Sequence, residues 1–165
     1  MLKLRDITNH QYAELMKYAT KKCDAFCLVF ISAFPYKLPP KYGNTELSGK
    51  LEPYLLHQTN KAKEWPGTPR TNLKQYVLNV YKCCKGTRQI LSSIDWADYI
   101  KDGNSCVQDL CFLINHRPWF TSVDHEDLYF IDNETAEDMK FFKANGFHFF
   151  QMYEGPTTDG LRVKY

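Results

Sequence analysis

The segment Asp124-His125-Glu126-Asp127 sets an imidazole among three carboxylates. Neighbouring carboxylates favour the charged imidazole, so His125 is suited to act as a general acid, a general base or a metal ligand. Asp124 and Glu126 are the carboxylates that would share such work. Cys111 and Ser122, on flanking apolar runs, are candidate nucleophiles. Successive strand side chains point to opposite faces, so only some of these five residues can converge. The alternative is structural: a turn histidine, an ordinary strand serine and a buried thiol.

A second constellation is Asn115-His116-Arg117-Pro118 followed by Trp119. Arginine and tryptophan are favoured at binding hot spots, so His116, Arg117 and Trp119 at a turn tip form a candidate recognition knob. Tyr36 and Tyr42, in a Pro/Gly-rich stretch at 35–50, are candidate partner contacts. That stretch would act as a lid, a binding surface or a cover for the core. His10, His57 and His148 occur singly, and no HxxxH or HExxH spacing is present. GxxxxGK[ST], GxGxxG and GxSxG are also missing, which removes the P-loop, dinucleotide and nucleophile-elbow readings in their usual form. No metal site and no cofactor are expected.

Net charge is only +2, but its distribution along the chain is uneven. Residues 1–94 hold 15 Lys and Arg against 6 Asp and Glu, a balance of +9. Residues 95–165 hold 6 against 13, a balance of −7. Such asymmetry points to a polyanion or to a charged partner surface. Lys21, Lys22, Lys61, Lys63, Lys82, Lys85 and Arg88 are the candidate phosphate contacts. The alternative is a solvated surface whose two halves attract each other, within one copy or across a homodimer.

The chain has 165 residues, 44% of them hydrophobic and 15% aromatic, as in one ordinary globular domain spanning 1–165. No apolar run reaches the roughly 18 residues of a membrane span. The first ten residues lack an apolar signal core, so a cytoplasmic location with reduced thiols is expected. Six cysteines are spaced C-x3-C, C-C and C-x4-C, unlike zinc knuckles, and are read as buried free thiols. The rich Lys, Asn, Tyr, Phe and Ile usage suggests an AT-rich genome, as in low-GC bacteria or viruses.

These residues must be positioned by a framework legible in the periodicities. Leu2–Ile7 alternates, as a short edge strand would. Thr8 or Asn9 can cap a helix carrying Tyr12, Leu15, Met16, Ala19 and Cys23 on one face. Ala25–Phe34, apolar except for Ser32, reads as a strand buried on both faces. Helical spacing is read over 51–65 and, more strongly, over 72–94. Three antiparallel strands follow over 107–114, 119–123 and 128–132. A helix over 134–145 starts with carboxylates and ends at Gly146. Strands at 147–153 and 161–165 close the chain. The resulting order, β-α-β-loop-α-α-β-β-β-α-β-β, is an α+β domain: one mostly antiparallel sheet of six or seven strands with three main helices packed on it. Functionally, the expectation is a small binding or regulatory protein acting by protein–protein contact, of inhibitor, immunity or accessory type. An enzyme with its site near 122–127 is the second reading, and nucleic-acid binding through the Lys-rich helices the third.

Overall fold

The meander expected from residue 107 onward is present in the computed structural model, which describes residues 1–30, 46–68, 76–95, 107–152 and 162–165. It comprises β5 (Val107–Ile114), β6 (Arg117–Val123) and β7 (Leu128–Ile131). Five further strands join it: β1 (Leu2–Arg5), β2 (Ala25–Phe30), β3 (Leu55–Ala62), β4 (Tyr76–Lys82) and β8 (His148–Gln151). Together they make one eight-stranded sheet in the order β3-β4-β2-β5-β6-β7-β1-β8, with every pair antiparallel. The described helices are α1 (Asn9–Lys22), α2 (Glu46–Leu51), α3 (Lys85–Ser92) and α4 (Ala136–Ala144). The α+β class with a single antiparallel sheet is therefore what the chain forms. No described helix is long and apolar enough to cross a membrane.

α1 forms where its pattern places it. Thr8 caps it and exchanges capping-box hydrogen bonds with Gln11, while Tyr12, Leu15, Met16, Ala19 and Thr20 are buried. The helices lie on one face, where Leu15, Met16, Leu51, Leu91 and Phe142 pack with Phe26, Phe112 and Phe120 of the sheet. The opposite face carries a smaller cluster. Cys27, Val29, Val80, Cys111 and Leu113 lie there beneath Trp65 and Val163. All six residues of β2 are buried because both faces of the central strand are covered. β1 is interior, between β7 and β8, and not the edge strand its short alternation suggests.

Two segments read as helical are strands. In Tyr76–Lys82 the apolar positions Tyr76, Val77, Val80 and Tyr81 match a helical period. They also fit a strand covered on both sides, and Val77 and Tyr81 face one core while Leu78 and Val80 face the other. A doubly buried strand loses its alternation, so periodicity alone cannot separate the two states. Leu55–Ala62 is an edge strand, exposed along most of its length, and its polar side chains mimic a solvated helix face. Among the described residues of 72–94, helix is confined to α3, after Cys83-Cys84. At the C-terminus, 162–165 form no ladder strand, although Val163 and His116 are joined by a backbone hydrogen bond. Of the Pro/Gly stretch, 35–45 lie outside the described residues, as do Tyr36 and Tyr42, and 46–50 belong to α2.

A Pro66-Gly67 turn brings Trp65 over the second face. Trp65 and Thr68 exchange backbone hydrogen bonds across it, and Gly67 has φ +83°. Proline followed by a residue of positive φ is the type II pattern. A Cβ at Gly67 would lie 2.7 Å from Thr121 Cγ2 and 2.8 Å from Val123 Cγ2. Gly67→Ala therefore combines backbone strain with overpacking and is expected to lower stability by about 1–3 kcal/mol, measurable by urea denaturation.

Candidate functional site

The β5–β6 hairpin ends in a two-residue turn. Asn115 has φ +50° and His116 φ +68°, and Ile114 pairs with Arg117 across it. Two consecutive left-handed residues make the type I′ turn that suits the twist of a hairpin. Arg117 and Pro118 accordingly belong to β6, not to the turn. Around this tip lies a cleft of about 580 Å³. Asn115, His116, Arg117 and Trp119 line it from the hairpin, Lys22 from the last turn of α1, and Arg162 from the C-terminal segment. Asp132 and Asn133, after β7, and Thr135, the N-cap of α4, close the far wall.

Each wall is held by identifiable contacts. Asp24 accepts from the Asn115 backbone N–H at 3.0 Å and from the Tyr165 hydroxyl, tying the turn to the C-terminal segment. Burial, with Asp24 beside the hydroxyl, pushes Tyr165 up to about 12. Val163 donates its N–H to the His116 carbonyl at 3.0 Å, and His116 Nδ1 lies 3.0 Å from the Val163 carbonyl. The imidazole and the Tyr165 ring are 4.2 Å apart, which fixes the orientation of His116.

Asp138 organises the opposite wall. It is fully buried and accepts from Tyr18 Oη at 2.7 Å, from Thr135 N and Oγ1 at 2.8 Å each, and from Lys22 Nζ at 3.0 Å. Burial by itself would raise its pKa. The hydrogen bonds from Thr135, Tyr18 and Lys22 outweigh that and hold the carboxyl below the ordinary value. Lys22 Nζ also sits 5.6 Å above the Trp119 ring. Trp119 is only 2% exposed, so it forms a wall of the cleft and is not a projecting anchor.

The acids at this end are largely committed to internal donors: Asp24 and Asp138 as described, and Glu134 to the N-terminal amine at 3.1 Å. Arg117 and Arg162, by contrast, form no ion pair among the described residues. The indole N–H of Trp119 is buried and has no acceptor among them. The cleft therefore presents two guanidinium groups, an arrangement suited to an anion.

The residues near 122–127 are arranged differently, at the other end of the sheet. A bulge sets Asp109 and Leu110 of β5 opposite Leu28, and Asp109 takes φ +52°. Asp109 Oδ1 accepts from the Asp124 N–H at 3.0 Å, and Asp124 Oδ2 accepts from the Asp109 N–H at 2.7 Å. Asp109 Oδ2 also receives the Trp65 indole N–H at 2.6 Å. The two acids clasp β5 to the chain after β6. Ser122 is buried and donates to the Leu110 carbonyl at 3.1 Å. Cys111 is buried against Thr121 and Cys27, and burial pushes its thiol well up. Cys111 lies beside Thr121, and Ser122 next along β6 faces the other side, so these two do not converge. Glu126 and the backbone of His125 lie in a single 3-10 turn over Asp124–Glu126. Among the described residues no three His, Cys, Asp or Glu side chains are grouped to hold a metal ion.

The basic candidates divide between the ends of the sheet. Lys61 sits beside Ala62, opposite Tyr76, with Lys63 just beyond. Lys82 is opposite Ala25 at the other end of β4, followed by Lys85 and Arg88 on α3. Six residue steps of a strand separate these groups by about 20 Å. Lys21 and Lys22 end α1 on the Lys82 side, the same end as the hairpin-tip cleft. Arg162, Asn133 and Thr135 are cleft residues that the sequence reading did not single out. They lie in three separate segments with no shared motif, and only the topology joins them.

Cys84 is distinct among the five described thiols, all of which are unpaired. It caps α3 through its sulfur, next to the Thr87 hydroxyl at 3.7 Å. Partial burial raises its pKa, but N–H groups of Thr87 and Gly86, the Thr87 hydroxyl and Lys82 overcome this and lower it. Burial raises the thiols of Cys23 and Cys83. With iodoacetamide at pH 7.5, Cys84 is expected to be alkylated first, at least tenfold faster than Cys23 or Cys83. Peptide mapping over time checks the order.

No protein-family model matches the chain, and comparison with curated proteins and with solved structures finds no match.

Proposed function

We propose that this chain is a binding protein acting by contact with another protein, and that the cleft at the β5–β6 hairpin tip receives an acidic group of that partner. The observation supporting this reading is the pair Arg117 and Arg162, which line the cleft without an ion pair among the described residues. Guanidinium forks match the geometry of an oxyanion. The type I′ turn and the Val163 and Tyr165 contacts hold the hairpin tip rigid, which limits the ordering cost of binding.

The test is capture of partners from the native host by the tagged chain, its Arg117→Glu variant and a Lys61→Glu control at the far sheet edge. A stoichiometric protein retained by the wild type and the control, and lost by Arg117→Glu, supports the reading. Equal retention by all three removes the cleft from the interface.

A further inference from the structure

The chemistry of the cleft narrows the class of acidic group it takes. Resting on the partner-recognition reading above, we infer that the cleft accepts a phosphate monoester, carried by a phosphorylated side chain of the partner. The lining is dominated by donors. Two guanidinium forks, Arg117 and Arg162, line it, and Thr135 marks the start of α4 in the same wall. A fork offers two parallel N–H groups to one oxyanion. A carboxylate has one oxygen–oxygen edge and so seats a single fork in this way, whereas two forks call for more than one edge. A phosphate monoester brings three terminal oxygens and a charge of about −1.5 to −2 near pH 7.

The charge of the lining agrees. Lys22, Arg117 and Arg162 face a single carboxylate, Asp132. Asp138 holds Lys22 from behind and is itself satisfied by Tyr18 and Thr135. The guanidinium groups are thus the cations left for a ligand. At about 580 Å³ the cleft is also larger than a carboxylate needs and admits a phosphorylated side chain with its stem.

The experiment follows the Trp119 indole N–H resonance of the full chain by NMR during titration. The probes are O-phospho-L-serine, inorganic phosphate and glutamate, each at constant ionic strength. The expected result is a saturable shift with phosphoserine, at least tenfold tighter than with glutamate. It should weaken at least tenfold in Arg117→Gln and in Arg162→Gln, whose remaining spectra report an intact fold. Glutamate binding as tightly as phosphoserine overturns the phosphate inference while leaving recognition of an acidic partner standing. Inorganic phosphate binding more tightly than phosphoserine overturns the side-chain source and assigns the cleft to a free phosphate compound. A titration with no saturable shift for phosphoserine overturns the inference outright. The partner-recognition reading itself falls only if Arg117→Glu retains the captured protein.

Discussion

Asp138→Ala is expected to lower stability by about 3 kcal/mol, the lower end of the ~3–5 kcal/mol seen when one member of a buried ion pair is removed. The carboxylate receives four hydrogen bonds and is the N3 residue of the α4 capping box. Its loss leaves the Tyr18 hydroxyl and the Thr135 N–H without their acceptor. Lys22, one-fifth exposed, can turn to water, which keeps the effect from the top of the range. For a chain of this size about 3 kcal/mol corresponds to a fall in Tm of roughly 6–12 °C. Asp138→Asn should cost less, because the amide oxygen still accepts.

The same residue has a pH signature. Its folded-state pKa lies below the ordinary carboxyl value, about 3.9 in an unfolded chain. A depressed folded pKa means that the ionised form is favoured by folding. Its contribution is therefore fully present above the unfolded value and disappears as pH falls through the folded one. Acid unfolding below about pH 4 should be less steep in Asp138→Asn than in the wild type, and urea midpoints across pH 2–6 would measure the difference.

The second large effect concerns binding. Arg117→Glu in the purified complex is expected to weaken partner affinity by at least 100-fold. That is about 2.7 kcal/mol, within the ~2–5 kcal/mol found when one side of a hydrogen-bonded interfacial charge pair is lost. Reversal adds repulsion to the lost contact, so Arg117→Gln should weaken binding less. Both variants should keep the wild-type Tm within about 1 °C, since Arg117 is exposed and forms no ion pair among the described residues. Calorimetric titration with the captured partner measures the affinity, and a fall in Tm comparable to that of Asp138→Ala would show a structural role instead.

Much of this framework was legible in the residues. The spacing Tyr12, Leu15, Met16, Ala19 announces α1. The apolar run at Ala25 announces a central strand. The turn residues between 107 and 131 announce the meander, and Gly146, at φ +66°, ends α4 as its position suggests. β3 and β4 were hidden for opposite reasons. β4 is covered on both faces and so lacks alternation, whereas β3 is an exposed edge whose polar residues carry no periodic signal.

The site divides in the same way. His116, Arg117 and Trp119 are adjacent in sequence and could be grouped on that basis. Lys22, Asn133, Thr135 and Arg162 join them only because α1 ends, α4 begins and the C-terminal segment crosses at one end of the sheet. Asp124 shows the converse. Its acidic neighbourhood suggested chemistry, but its reciprocal bonds with Asp109 depend on a bulge that no local pattern reveals.

Hydrogen–deuterium exchange of the chain alone and bound to its captured partner tests the central claim most directly. Binding at the hairpin-tip cleft predicts new protection at 114–119, 132–135 and 162–163, with the 124–127 turn and the β3 edge unchanged. Protection confined to 124–127 or to Leu55–Ala62, with the hairpin tip exchanging as in the free chain, would contradict it.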